Sequence, residues 1–144
     1  MTRPPLYQGL SFTTPGRTIG EADIHLFAGL VGDFTPIHVD QQVAEASVHG
    51  TRIAHGPLGL GTAIGLATLS GIFGERVLGL RHLDWDFPGP IRMGDTIRSH
   101  VTVADLRPTS KPGRNLAVFA FDVINQRSET VQRGRMTVVL RADP

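Results

Sequence analysis

The sequence predicts an α+β domain in which a long antiparallel sheet curls around one apolar helix. Two observations predict it. Residues 57 to 70 are apolar on nearly every side through Leu58, Leu60, Ile64, Leu66 and Leu69, so a helix there has no face suited to water and must be surrounded. From Glu75 onward the apolar residues recur with period two, the repeat of strands. One such helix followed by four one-sided strands leaves few packings, and the sheet buries the helix by wrapping it.

Residues 1 to 16 hold three of the ten prolines and read as an extended lead-in. Thr18 and Glu21 have the spacing of a capping box, and Ile24, Phe27, Ala28 and Val31 recur as the inward stripe of a helix over 21–31 that Gly32 ends. Val39 to His49 reads as a short helical turn leading into a loop. His55-Gly56-Pro57 opens the apolar helix, because proline suits the first helical position, and Gly71 and Gly74 close it. The Gly61/Gly65 spacing predicts close packing of a buried helix. In the strand Arg81 to Phe87, Leu83, Trp85 and Phe87 share one face while His82, Asp84 and Asp86 share the other. Pro88-Gly89-Pro90 ends it and Met93-Gly94-Asp95 turns the chain. A strand from Thr96 to Leu106 points Ile97, Val101 and Val103 one way, Pro108 to Asn115 is a loop, and Ala117–Ile124 with Thr130–Leu140 forms a hairpin. Residues 141–144 are a tail. The whole, residues 1–144, reads as one domain with the pattern of a hot dog fold, whose sheets commonly dimerise edge to edge.

Composition narrows the function classes. A hydrophobic fraction of 40% and a charged fraction of 19% describe an ordinary globular chain. The net charge of +1, with arginines scattered through strands and turns, suggests no nucleic-acid partner. Zero cysteines exclude disulfides and thiolate catalysis. The N-terminus has no apolar core of a secretory signal, so a cytoplasmic location is expected. Residues 56 to 74 carry no charge, but six glycines dilute them, and no membrane span is expected.

The chemistry concentrates between residues 31 and 57. Asp33 and His38 stand five apart, a separation that neither a helix nor a strand turns onto one face. Pro36 would break a helix here and pushes Thr35 towards extended geometry, so both side chains are expected on a loop that curls them into one pocket. An acid and an imidazole so placed can hold one water and move its protons. Asp33 falls just past a helix C-terminus, whose dipole would raise its pKa. The residues alone leave open that Asp33 merely caps a turn and that His38 is a satisfied half-buried side chain. A metal reading of Asp33, His38 and Asp40 lacks any His-x-His or Glu-x-x-His spacing, so no metal is expected. No nucleophile elbow surrounds Ser70 or Ser110. Lys111 and Arg114 could meet phosphates, though a loop with two cations is more often just solvated.

Three stretches carry a family resemblance: Gly32-Asp33-Phe34-Thr35-Pro36-Ile37-His38, Arg52-Ile53-Ala54-His55-Gly56-Pro57 and Pro90-Ile91-Arg92-Met93-Gly94-Asp95-Thr96. Together they resemble the MaoC-like dehydratases, also called (R)-specific enoyl-CoA hydratases, over about residues 17 to 140. The chain departs at Thr35, where that family usually has asparagine. The resemblance implies a lyase that adds water reversibly to a trans-2-enoyl thioester to give an (R)-3-hydroxyacyl thioester, with Asp33 and His38 as the catalytic pair. It places the backbone N–H of Gly56 on the thioester carbonyl oxygen, with Thr35 and His55 at the substrate, shaping the entry to the apolar helix being the other reading of His55. It implies no cofactor, coenzyme A or an acyl carrier being part of the substrate, and a homodimer or an assembly of dimers. A hot dog acyl-thioester hydrolase and a non-catalytic acyl-thioester binding module are the other expectations.

Overall fold

The computed structural model describes residues 4–143, so the first three residues of the lead-in and the last of the tail lie outside the described residues. Strands β1 (Ser11–Thr13) and β2 (Arg17–Thr18) are followed by helices α1 (Glu21–Val31), α2 (Pro36–Val39), α3 (Gln41–Ala46) and α4 (Gly56–Thr68). A 3₁₀ turn at Gly74–Arg76 leads into β3 (Val77–Asp86), β4 (Thr96–Pro108), β5 (Arg114–Ile124) and β6 (Thr130–Arg141). All pairings are antiparallel, in the order β1-β4-β5-β6-β3 with β2 also on β4. The inward faces of β4 and β5 bury Ile97, Val101, Val103, Phe119 and Phe121 against Ala63 and Ala67 of α4. Small residues on that side of α4 let the helix lie close to the sheet. Across β3 and β6, Trp85 sits opposite Gly134, where an added Cβ would strike the Asp84 carbonyl and the Trp85 ring.

Several expectations change. The extended lead-in contributes a strand, Ser11–Thr13, and with Arg17–Thr18 just beyond it adds to the edge of β4, pairings that the sequence reading did not include. Thr18 Oγ1 is engaged with Thr96 Oγ1 at 2.7 Å and Glu21 with Arg52 at 2.6 Å, so α1 starts instead at Gly20, whose N–H donates to Asp23 Oδ2 at 2.8 Å. Gly32 does end it, with φ 79° in the left-handed region. Ile24 and Ala28 are buried, but Val31 points to solvent. Pro36 starts a helical turn rather than preventing one, because at the first helical position the missing N–H has no bond to lose. Phe87 lies beyond the end of β3 and covers Gly56, not the core. The tail is tied down as well: Arg141 closes β6 and Asp143 pairs with the buried Arg76 at 3.0 Å.

Helix α4 is surrounded on one side only. Gly59, Ala63, Leu66 and Ala67 are buried, whereas Pro57, Gly61, Gly65 and Leu69 are exposed within the protomer, and nothing packs against Gly61 or Gly65. The expected close packing there is therefore absent from the single chain. The same protomer leaves Leu26 and Leu30 of α1, Phe34, and Leu78 and Leu80 of the edge strand β3 open to solvent. A chain with this much apolar surface has a face suited to another protein surface.

Candidate active site

Gly32 stops α1 and the chain turns through Asp33, Phe34 and Thr35 into α2. Asp33 is exposed, and its Oδ1 accepts from Thr35 Oγ1 at 2.6 Å and from the Thr35 N–H at 3.1 Å. These two donors hold its carboxyl below the ordinary aspartate range, the Thr35 hydroxyl contributing most. The expected upward pull of the helix terminus is thus overturned by a local hydrogen-bonded turn. His38, on the one-turn helix α2, is buried, and its Nδ1–H donates to the Ile53 carbonyl at 2.8 Å. A carbonyl can only accept, so Nδ1 carries the hydrogen and the ring presents a lone pair at Nε2.

His55 is the N-cap residue of α4 and only 1% exposed. Its ring stacks on His38 with centroids 3.8 Å apart and planes tilted by 23°. Its Nε2–H donates to the main-chain carbonyl of Asp33 at 2.9 Å. One side chain therefore braces both members of the pair, the imidazole through its face and the carboxylate through its backbone. Sequence reading set a place at the substrate for His55 beside a role in shaping the entry to α4, and it missed this brace. It also missed Gln132, which is buried, accepts from Trp85 Nε1 at 3.0 Å and donates to the Gly56 carbonyl at 3.1 Å, fixing the first residue of α4. A signal was present: Gln132 breaks the polar-out alternation of β6.

Asp33, His38 and His55 each bring a polar atom within 4.8 Å of the others. The loop and helix geometry thus does unite the acid and the imidazole. Asp40, the third member of the metal reading, is instead the N-cap of α3, accepting from the N–H groups of Gln42 and Val43. A carboxylate and two imidazoles can ligate a metal, but one nitrogen of each ring is already engaged, His38 Nδ1–H with the Ile53 carbonyl and His55 Nε2–H with the Asp33 carbonyl. The arrangement suits proton transfer better than chelation. Gly56 is the first residue of α4, so its N–H lies outside the intrahelical ladder and at the positive end of the helix dipole. It lines a cleft of about 360 Å³ with His49, Phe87, Ile91 and Gln132. A groove of about 460 Å³ runs along the exposed face of α4 past Phe27, Pro57 and Gly61.

An antiparallel sheet wrapped on one side of a helix, with an acid/imidazole pair at the helix's amino end, defines a protein of the hot dog class. The model of the MaoC like domain matches residues 8–118, and the chain belongs to that family. A curated (R)-specific enoyl-CoA hydratase of Rhodospirillum rubrum is 40% identical over 99 residues, covering 66% of this chain and 65% of the relative. A 3-hydroxybutyryl-CoA dehydratase of Methylorubrum extorquens is 36% identical over 102 residues, covering 68% and 61%. The chain thus spans about two thirds or less of these relatives' lengths. Among solved structures, a MaoC-like dehydratase from Rhodospirillum rubrum superposes with TM-score 0.85 at 30% identity, over 96% of this chain and 95% of that one. An Archaeoglobus protein named as a monoamine oxidase regulatory protein gives TM-score 0.89 at 28% identity, over 96% and 93%. Among the described residues no helix is long and apolar enough to cross a membrane.

Proposed function

We propose that the protein is a hydro-lyase that adds water reversibly across the double bond of a trans-2-enoyl thioester, giving a (R)-3-hydroxyacyl thioester. The single observation that carries the reading is the convergence of Asp33 and His38, with the imidazole lone pair at Nε2 fixed by the Ile53 carbonyl. One water donates a hydrogen bond to the Asp33 carboxylate and another to His38 Nε2, which leaves an oxygen lone pair for C3 of the enoyl group. As the C–O bond forms, the double-bond electrons move through C2 to the carbonyl oxygen, which becomes an enolate. The Gly56 N–H receives that charge, and a donor preset in this way is worth roughly 3 kcal/mol of the barrier. The water's proton passes to the Asp33–His38 pair, and a proton from the pair returns to C2, so the net change is the addition of one water. Thr35 holds the Asp33 carboxyl below the ordinary range and so favours its ionised form, and the His38 lone pair at Nε2 is placed to accept the water's proton. The thioester itself is the electron sink, and the steps call for no further cofactor or metal.

Thr35, where the family usually has asparagine, anchors the Asp33 carboxylate, and His55 is assigned a positioning role. The exposed apolar residues of α1, the open face of α4 and the edge of β3 support a homodimer, the single hot dog domain being one half of it. Names of the relatives support coenzyme A or carrier thioesters as substrates, and a cytoplasmic setting accords with that chemistry. Incubation with crotonyl-CoA tests the reading: enoyl absorbance is expected to fall with no thiol released. Thiol release with the double bond retained would make the protein a thioester hydrolase instead.

A further inference from the structure

On the face of the sheet turned away from α4, at the end of the sheet farthest from Asp33, lies the largest of the cavities described, about 590 Å³. The sheet twist makes it a trough across four strands. Its floor is Leu116 of β5 and Val139 of β6, and its rim is Arg81 of β3, Arg107 of β4, Lys111 of the β4–β5 connection and Arg114 at the start of β5. Four cations and no carboxylate line it, in a chain whose whole net charge is +1. Arg107 shares Asp105 at 3.0 Å, outside the trough. Among the described residues Arg81, Lys111 and Arg114 have no carboxylate partner.

Elsewhere on the same face charges are matched: Arg133 reaches Asp122 at 3.7 Å, and Arg135 stands opposite Asp84. At the trough the pattern is reversed, since Arg114 stands directly opposite Arg141, a like-charge pair that costs stability. The connection is also stiff. Pro108 and Pro112 flank it, Thr109 Oγ1 accepts from the Lys111 N–H at 3.2 Å and donates to its carbonyl at 3.0 Å, and Gly113 takes φ 72° so that its carbonyl can accept from the Ala142 N–H at 2.9 Å. Cations held apart around a stiff connection, three of the four without a carboxylate partner among the described residues, form a preset cradle for a polyanion, and guanidinium groups favour phosphate in particular.

We propose that this trough binds a small ligand carrying two or more phosphate groups, with its organic part on the Leu116–Val139 floor. Arg107 and Pro108 put the trough at the end of β4, whose 13 residues run roughly 40 Å along the strand. Two sources of the chemistry remain: the nucleotide end of a coenzyme thioester held by a second subunit, or a free phosphate ester. The test is calorimetric titration of the full chain at low salt with pyrophosphate and with adenosine 3′,5′-bisphosphate, repeated on the double variant Lys111→Glu/Arg114→Glu. Saturable binding is expected, weaker by at least about tenfold in the variant, and weakened by added salt. If the variant also raises KM for crotonyl-CoA but not for the crotonyl thioester of N-acetylcysteamine, the ligand is the coenzyme's nucleotide end. If both KM values stay unchanged while binding is lost, it is a free phosphate ester. Absence of saturable binding in the unaltered protein, or equal binding by the variant, overturns the proposal, and either result leaves the hydration assay untouched.

Discussion

The imidazole side and the carboxylate side of the candidate site are built in opposite ways. His38 and His55 are buried, stacked, and each tied to a main-chain carbonyl far along the chain, Ile53 for one and Asp33 for the other. The Asp33 carboxylate is exposed, and the hydrogen bonds to its side chain come from its neighbour two residues on. The fold therefore presets the imidazole, while a local turn sets the carboxylate beside an exposed apolar surface. Perturbing the first side should cost stability and activity together. Perturbing the second should cost activity alone.

The largest expected effect is loss of the pair itself. His38→Ala and Asp33→Asn should each lower kcat for crotonyl-CoA hydration by about 10³-fold, within the range general acid–base groups supply. Thermal unfolding separates them: His38→Ala should lower Tm and Asp33→Asn should leave it near the parent value. Next comes His55→Ala, which frees the Asp33 carbonyl and the His38 ring at once. A misplaced pair of this kind costs about 10²-fold in kcat. The lost buried bond costs about 1–3 kcal/mol of stability, read from a denaturant titration. His55→Gln, which retains an N–H donor, should recover part of the activity; equal loss in both variants would count against the brace.

The smallest effect is a shift in pH dependence. Thr35 holds the Asp33 carboxyl below its ordinary value, so the ionised form is present above the unfolded-state pKa and is lost only as pH falls through the lower folded value. Thr35→Val removes the hydroxyl donor, and the acid limb of the kcat/KM profile should move upward. Thr35→Asn, with an amide donor, should move it less. An unchanged limb in Thr35→Val would mean that the hydroxyl does not tune the carboxylate.

The contrast also explains what could be read from residues alone. The strands from Val77 onward and the helix from Gly56 were legible because alternation and an uninterrupted apolar stretch are local signals. Strands β1 and β2 were not, since Ser11–Thr13 and Arg17–Thr18 are strands only by virtue of β4 beside them. Asp33 and His38 stood out by residue type and by their place around Pro36. The brace by His55 did not, because a stacking contact across 17 residues and a bond to a distant carbonyl leave no periodic mark. The exposed face of α4 was misread for a related reason: an apolar helix announces that it will be covered, not by which chain.

The central claim is that Asp33 and His38 act on one water as a unit, and a double-mutant comparison tests it most directly. Measured by kcat for crotonyl-CoA hydration, Asp33→Asn/His38→Ala should lose little more than either single variant, because groups that act together are strongly non-additive. If the two single losses instead multiply in the double variant, each group works independently and the shared-water arrangement is contradicted.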